Sequence, residues 1–384
     1  MIQSTSMVSA GGKKLKLPLR DWLLMPLVSL LTLVFLAASS EVIARRIFPD
    51  EKLTGPTCMI SNDPATGVRG VPNAVCINHW FESGETEYRY NSCGHRAGME
   101  CGPKPTGTFR IVMAGTSFAF GSYVARDKTF AALMPAELSQ RTGRKVEVYN
   151  ESLMLETPRV VALRFNDLLT PKPDMILWVL TTWDIENVTM LLPTKSIPKP
   201  QSLFKRISSA VQESRAANAL IYLFYQSPNS YLKRHLMGIG NPGYLSKQLD
   251  PVWQRHLNDF DRYFAIVEQK SVAAGVPLVV VMLPSSTQAT MISMGAWPAE
   301  FDPFKLSDAT RAIVESHGAI YVDILPDIRL VPDAAKYFYP ISRHPNVDGH
   351  RVFSELIDQE LTKGTVPGLD FAGQSRPGAS IQNQ

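Results

Sequence analysis

Two short segments of this chain carry side chains able to do covalent chemistry. The first is GTSFAFG, Gly115 to Gly121, which follows the apolar run FRIVMAG and precedes a helical pattern. A serine at the C-terminal end of a buried strand sits where the backbone turns sharply and helix N-terminal N–H groups point outward, which favours an exposed hydroxyl and a stabilised oxyanion. Gly115 and Gly121 let the backbone approach closely there. Taken alone, Ser117 also reads as a simple helix N-cap. The second segment is HPNVDGH, His344 to His350, directly before the last helical pattern. Pro345 and Gly349 fix a loop that can hold His344 at the same sheet edge. An imidazole with a pKa of about 6.5 can take a serine proton and later return it to a leaving group. Either residue alone is weak evidence; the combination is the signal.

The elements that must position this pair have a regular texture. FRIVMAG reads as a buried parallel strand and DKTFAALMPAELSQRTG as an amphipathic helix ending on glycine. KVEVYN, TPRVVALRFNDLLT and PDMILWVLTT continue the pattern as strand, helix and strand. A helix over about 253–274, the strand VPLVVVML, a helix near 305–317, the strand AIYVDIL and a helix over 347–362 resume it. Such alternation with short links predicts an α/β fold built on a doubly wound parallel sheet. Residues 187–250 interrupt it with prolines, a basic patch at Lys205 and Arg206 and the aromatic run IYLFYQ. We read this as an insertion over the sheet's C-terminal edge, either a substrate lid or a packing element. Residues 364–384 are rich in Gly, Pro, Ser and Gln and are expected to be disordered.

Before this domain comes an address. Lys13, Lys14, Lys16 and Arg20 precede a run from Trp22 to Ala38 with no ionisable side chain, and extension to Ile43 adds only Glu41. About 20 residues at 1.5 Å each cross a hydrocarbon core of about 30 Å. The chain therefore divides into a basic cytoplasmic tail (1–21), a transmembrane signal anchor (22–43), a Cys-containing lead-in (44–105) and the main domain (106–363), with everything after the anchor outside the cytoplasm. The rival is a cleaved signal peptide, for which LAASSEVIA offers a poor cleavage site. Cys58, Cys76, Cys93 and Cys101 all fall in the lead-in. An even, clustered set in an oxidising compartment predicts disulfides, with three possible pairings. A thiol metal site completed by His79 or His95 is the alternative, but there is no C-x-x-C spacing.

Composition narrows the function. A net charge of +4 on 39 basic and 35 acidic side chains gives no field to concentrate nucleic acid. Neither a Gly-rich phosphate loop nor an H-E-x-x-H helix occurs, so no cofactor or metal is expected.

Over about residues 88–360 the chain resembles the SGNH/GDSL hydrolases, especially their membrane-anchored extracytoplasmic branch. YRYNSCGHRAG looks like that branch's N-x-x-G-x-R-G lead, and TGTFRIVMAGTSFAFGSYVARDKTF like its R-I-x-x-x-G-D-S-x-x-x-G-x-x-V block. VEVYN, KPDMILWVL and HPNVDGHRVFSELI follow in the family's order. The resemblance implies a three-layer, flavodoxin-like α/β/α domain, with Ser117 as nucleophile, His344 as base, and esterase or O-acyltransferase chemistry on acylated carbohydrate of the cell envelope. The chain departs from the pattern at four places. Thr116 stands where the family has Asp, Ser152 where it has an oxyanion-donating Gly, Trp183 where it has Asn, and Ile341 or Ser342 where it has the acid that serves the histidine. Asp323, Asp348, Asp327 and Asp184 are candidate replacement acids, although Asp184 reads better as a cap of the turn after its strand and Asp348 as the cap of the final helix. Thr182 and Asn187 are candidate replacement oxyanion donors. The alternative to an enzyme is an inactive SGNH-like domain that binds glycan or an envelope assembly, with the Trp183 indole suited to stacking on sugar.

Overall fold

The computed structural model describes residues 19–48, 51–191, 214–225 and 242–371, together with 227, 230, 232, 233, 235 and 236. Most of the basic tail, residues 192–213 of the insertion with Lys205 and Arg206, and the tail beyond 371 lie outside the described residues, whereas 364–371, expected to be disordered, are described and pack Val366 and Leu369 into the core.

Helix α1 (Leu19–Ile47) is one continuous element containing Pro26, and it runs past the expected limit at residue 43. Its stretch Leu24–Ile47 has a mean hydropathy of 2.1 and is long and apolar enough to cross a membrane. Trp22 to Leu36 are exposed wherever the structure describes them, whereas Ala44 near the far end is buried. Protein therefore covers only the C-terminal end of this helix. There Glu41 accepts hydrogen bonds from the Ser214 hydroxyl (2.7 Å) and from the N–H groups of Arg215 (3.1 Å) and Ala216 (3.0 Å). It thereby caps a helix of the insertion, which packs against α1.

The lead-in forms two small antiparallel sheets. Strands β1 (Lys52–Thr54), β4 (Val75–Trp80) and β5 (Gly84–Arg89) pair in the order β1-β4-β5, and β2 (Met59–Asp63) pairs with β3 (Gly67–Gly70). Disulfides join Cys58 to Cys76 and Cys93 to Cys101. All four thiols are thus committed, which takes them away from the alternative metal site; His79 instead meets Thr54 and Glu85, and His95 meets Tyr149 and Glu151.

The main domain runs β6 (Thr108–Gly115), α2 (Ser117–Phe120), α3 (Phe130–Thr142), β7 (Lys145–Asn150), α4 (Pro158–Leu169), β8 (Met175–Leu180) and α5 (Thr182–Glu186). After α6 (Arg215–Tyr225), the helix capped by Glu41, come α7 (Pro251–Ala274), β9 (Leu278–Met282), α8 (Ser286–Met294), α9 (Lys305–Ser316), β10 (Ile320–Val322) and α10 (Val347–Leu361). The five strands β6 to β10 are parallel in the order β10-β9-β8-β6-β7, the flavodoxin-like doubly wound arrangement.

The strands read as continuous apolar runs because both faces of the sheet are covered. Ile111, Met113, Leu177 and Val279 point to one side, where they pack with Phe130 and Met134 of α3 and Phe353 and Ile357 of α10. Val112, Ile176, Trp178 and Val280 point to the other, against Phe165 of α4, Phe260 and Phe264 of α7 and Val314 of α9. The result is a three-layer α/β/α domain. Its strand ends bring the loops after β6, β8 and β9 to one edge, where the insertion and the loop before α10 also arrive.

Candidate active site

Ser117 owes its position to the end of β6. Gly115 has φ +147°, and a Cβ there would lie 2.4 Å from the Val179 carbonyl oxygen of β8. Glycine is needed for this close approach. Thr116 remains extended and Ser117 opens the short helix α2, so the hydroxyl leaves the sheet at its C-terminal edge.

His344 is presented by the loop before α10. The Tyr339 N–H donates to the His344 carbonyl (2.8 Å), the Arg343 N–H to the Tyr339 carbonyl (2.9 Å) and the Asn346 N–H to the Tyr337 carbonyl (3.0 Å). A Cβ at Gly349 would lie 2.1 Å from the Tyr337 oxygen, so the turn onto α10 also requires glycine. The side chain of Asn346, rather than the expected Asp348, caps the helix through the Gly349 N–H (2.9 Å).

These two elements bring the imidazole Nε2 of His344 to 2.8 Å from the Ser117 Oγ. The Nδ1 faces the carbonyl oxygen of Ser342 at 3.1 Å. A carbonyl can only accept, so Nδ1 carries the hydrogen and Nε2 is left to accept from the serine hydroxyl. Burial pushes the His344 pKa down to about 4, with the Ser342 carbonyl pulling in the other direction. At neutral pH the imidazole is uncharged and able to take a proton. Phe118 and Tyr123 flank it with ring centroids at 5.2 and 5.1 Å.

None of the candidate acids reaches Nδ1. Asp323 pairs with Arg311 and accepts from the Leu325 N–H. Asp348 is exposed and pairs with Arg351 (3.1 Å), and Asp327 lies beside Lys363 (3.8 Å). Asp184 forms a capping box with Thr181, as its cap reading expects. Sequence reasoning missed Glu82, at the tip of the β4–β5 hairpin. Its carboxylate accepts from the N–H groups of Ile341 (2.9 Å) and Ser342 (3.0 Å), the two residues that the sequence resemblance sets where an acid was expected. The Ser83–Gly84 pair in FESGET is the one local signal of a turn there, and nothing in it points to a loop 259 residues away.

The candidate oxyanion donors fare similarly. The N–H of Ser152 is spent on Asn150 Oδ1 (3.1 Å) and its hydroxyl on the Met113 carbonyl (3.3 Å). It is fully buried and lies away from the cavity lining, so it locks its loop beneath β6. The Thr182 hydroxyl meets Gln288 Oε1 (3.1 Å), and the Asn187 amide donates to the Trp183 carbonyl (2.9 Å). Both are engaged elsewhere. Ser117 and Phe118 open α2, and their N–H groups have no carbonyl of that helix to meet.

Ser117 and His344 open on a cavity of about 540 Å³. Trp183, Phe118, Tyr123 and Tyr244 supply ring surface, while Thr116, Ser122, Ser285 and Thr287 supply hydroxyl-bearing side chains. His235 and Tyr244 come from the segment read as an insertion over this edge.

Two buried groups stiffen the floor. Arg96, 1% exposed, donates to the carbonyls of Phe120 and Gly121 (both 2.9 Å) and Val124 (2.7 Å), tying the lead-in to the turn after α2. Arg164 holds both Glu151 and Glu156, and Glu156 accepts from the Gly115 N–H (3.3 Å) two residues before the serine.

No family model matches this chain, and no curated protein matches it. Solved structures do. The crystal structure of TesA is 13% identical, with 66% of this chain and 97% of that one covered at a TM-score of 0.37. A variant of Axe2, an acetyl-xylooligosaccharide esterase from Geobacillus, is 12% identical over 70% of this chain and 99% of that one, TM-score 0.39. The psychrotrophic esterase EstA from Pseudoalteromonas sp. is 12% identical over 66% and 97%, TM-score 0.36. Identities and scores this low carry nothing about activity.

Proposed function

We propose that this chain is an extracytoplasmic serine esterase or O-acyltransferase acting on acylated carbohydrate of the cell envelope. The observation that carries the reading is the contact of 2.8 Å between His344 Nε2 and Ser117 Oγ at the mouth of the cavity. As the Ser117 oxygen attacks an ester carbonyl, its proton passes to Nε2. The oxyanion that forms is met by the α2 N–H groups, and the Ser342 carbonyl accepts from Nδ1–H as the ring becomes cationic. Collapse breaks the ester bond, the sugar oxygen leaves with the Nε2 proton, and the acyl group stays on Ser117. A second attack, by water or by a sugar hydroxyl, regenerates the serine by the same proton path. Water as acceptor makes the enzyme an esterase; sugar as acceptor makes it a transferase.

The apolar α1 and the two disulfides support an extracytoplasmic domain held by one anchor, its N-terminus inside. Ring faces interleaved with hydroxyls support a carbohydrate ligand. The test is turnover of acetylated xylo-oligosaccharide and of an activated acetate ester by the full chain in detergent. His344→Ala is expected to lower kcat by about 10² to 10⁴, and undiminished turnover in Ser117→Ala would refute the reading. Trp183 favours a second reading, a glycan-binding domain without turnover, because it occupies the family's donor position and lines the cavity.

A further inference from the structure

Among the described residues no carboxylate meets the imidazole of the Ser117–His344 pair, yet a carboxylate does hold the loop that orients it. We infer that Glu82, supplied by the lead-in hairpin, is a positioning residue for His344, acting through the main chain of Ile341 and Ser342. This inference rests on the reading of Ser117 and His344 as nucleophile and base.

Each link is a contact in the structure. Glu82 uses both oxygens, one for the Ile341 N–H (2.9 Å) and one for the Ser342 N–H (3.0 Å). Charge-assisted bonds of this kind are roughly twice as strong as neutral ones. Ser342 in turn makes two bonds to the histidine: its carbonyl accepts from Nδ1 (3.1 Å), and its hydroxyl accepts from the His344 N–H (3.3 Å). Nε2 then meets Ser117. The loop needs such a clamp, because Arg343, between Ser342 and His344, has φ +61°. An L side chain holds that left-handed conformation only where its surroundings impose it.

The hairpin tip is itself pinned on three sides. Phe81 packs on Phe48 beyond the end of α1 (ring centroids 5.3 Å), and Trp80 packs on Tyr123 (4.5 Å) and on Tyr339 of the histidine loop (6.1 Å). A carboxylate held this way sets the direction of the Ser342 carbonyl. The carbonyl sets the ring tautomer, and the tautomer leaves Nε2 free to accept. Glu82 thus restores from another part of the chain what the family's missing acid does by direct contact.

Burial pushes Glu82 up to about 7, against the two N–H bonds that favour its charged form. Tyr123 and Tyr339 are titratable groups that face it; burial raises both phenols, with the Glu82 charge adding to the effect, Tyr339 to about 12, so neither ionises near neutrality. Protonated Glu82 turns one acceptor oxygen into a donor and can serve only one of the two N–H groups. Reactivity at Ser117 should therefore fall as pH drops through about 7, well before His344 itself takes a proton near 4.

The experiment is the second-order rate of Ser117 labelling by a fluorophosphonate, followed by intact mass between pH 5 and 9, on the full chain in detergent. Parent and Glu82→Gln are compared, with Ser117→Ala as the blank and the thermal midpoint of each recorded. The expected result is a parent profile falling below pH 7, and a Glu82→Gln rate about tenfold lower at pH 8 with that limb gone. Should Glu82→Gln not fold, the parent profile and the ¹⁵N shifts of the His344 ring at pH 8 and pH 6 decide, with a single Nδ1–H tautomer expected at pH 8 and a mixture at pH 6. Equal rates in parent and Glu82→Gln, a limb that persists in the variant, or a tautomer unmoved by pH would each overturn the inference. No labelling of the parent at any pH overturns instead the reading of Ser117 as a nucleophile on which the inference rests.

Discussion

Ser117 and His344 were legible because each lies in a short local pattern: a serine between glycines at a strand end, and a histidine before a proline and a helix. Their partners were not legible. The group that meets His344 Nδ1 is a backbone carbonyl, which has no residue signature, and Ser342 occupies the acid's place without an acidic side chain. Asp323 and Asp348 looked suitable by type but are engaged by Arg311 and Arg351. Ser152 kept the right main-chain position, yet Asn150 takes its N–H. Trp183 is the departure with the clearest consequence for binding, because a ring in place of an amide exchanges a hydrogen-bond donor for a stacking face. Stacking of this kind is worth about 0.5 to 1.5 kcal/mol beyond the area it buries. Trp183→Ala is accordingly expected to raise KM for a sugar ester about threefold to tenfold, with little change in the rate of phosphonate labelling. Kinetics with a sugar ester and with a small acetate ester side by side check this; an equal effect on both would mean that the ring supports the loop and does not contact the sugar.

Elements are legible where burial leaves a pattern, one wet face on a helix or two dry faces on a strand. Helix α4 and helix α9 show a clear apolar stripe, and strands β6, β8 and β9 show the unbroken apolar runs of a sheet covered on both sides. Helix α8, STQATMISM, escaped notice because seven of its residues, Ser286 to Ile292, are buried on all sides, so no period separates a core face from a solvent face. It is recognisable only by its capping box, Ser285 with Gln288. The lead-in reads as strands and loops packed on the main domain, and only the bounds of its strands are left open by the sequence. They are three to six residues long, with the Cys58–Cys76 disulfide joining β4 to the start of β2 and Arg96 joining the segment to the turn after α2. The Cys58–Cys76 bridge closes a loop of sequence separation 18 and ties the strand β4, which leads to Glu82, to the segment before β2. Replacing both cysteines by serine is expected to destabilise the chain by about 3 kcal/mol, measured by denaturant unfolding. It should slow Ser117 labelling as well, because the hairpin would no longer hold Glu82 firmly. An unchanged unfolding midpoint would show that the bridge constrains nothing the native fold does not already fix.

At the scale of the whole chain, the sequence reads as an apolar N-terminal segment, a cysteine-bearing lead-in packed on the main domain and an α/β domain, and it leaves open which residues make the junctions. The structure supplies the junctions. Glu41 near the C-terminal end of α1 caps α6, Phe48 meets Phe81 of the hairpin edge to face, and the hairpin reaches both the turn after Ser117 and the loop of His344. These contacts join residues remote in sequence and carry no local pattern, which is why they had to be seen. They also join the lead-in to the cavity, so that α1, the hairpin and the loop of His344 form one continuous path. The central claim is that Ser117 is activated by His344 in this assembled chain. It is tested most directly by the intact mass of the full chain in detergent after exposure to a fluorophosphonate, beside Ser117→Ala and His344→Ala. The account predicts one covalent adduct on the parent, none on Ser117→Ala and strongly slowed labelling of His344→Ala. A folded parent that takes no adduct would contradict it and leave the glycan-binding reading, with Trp183 at its centre.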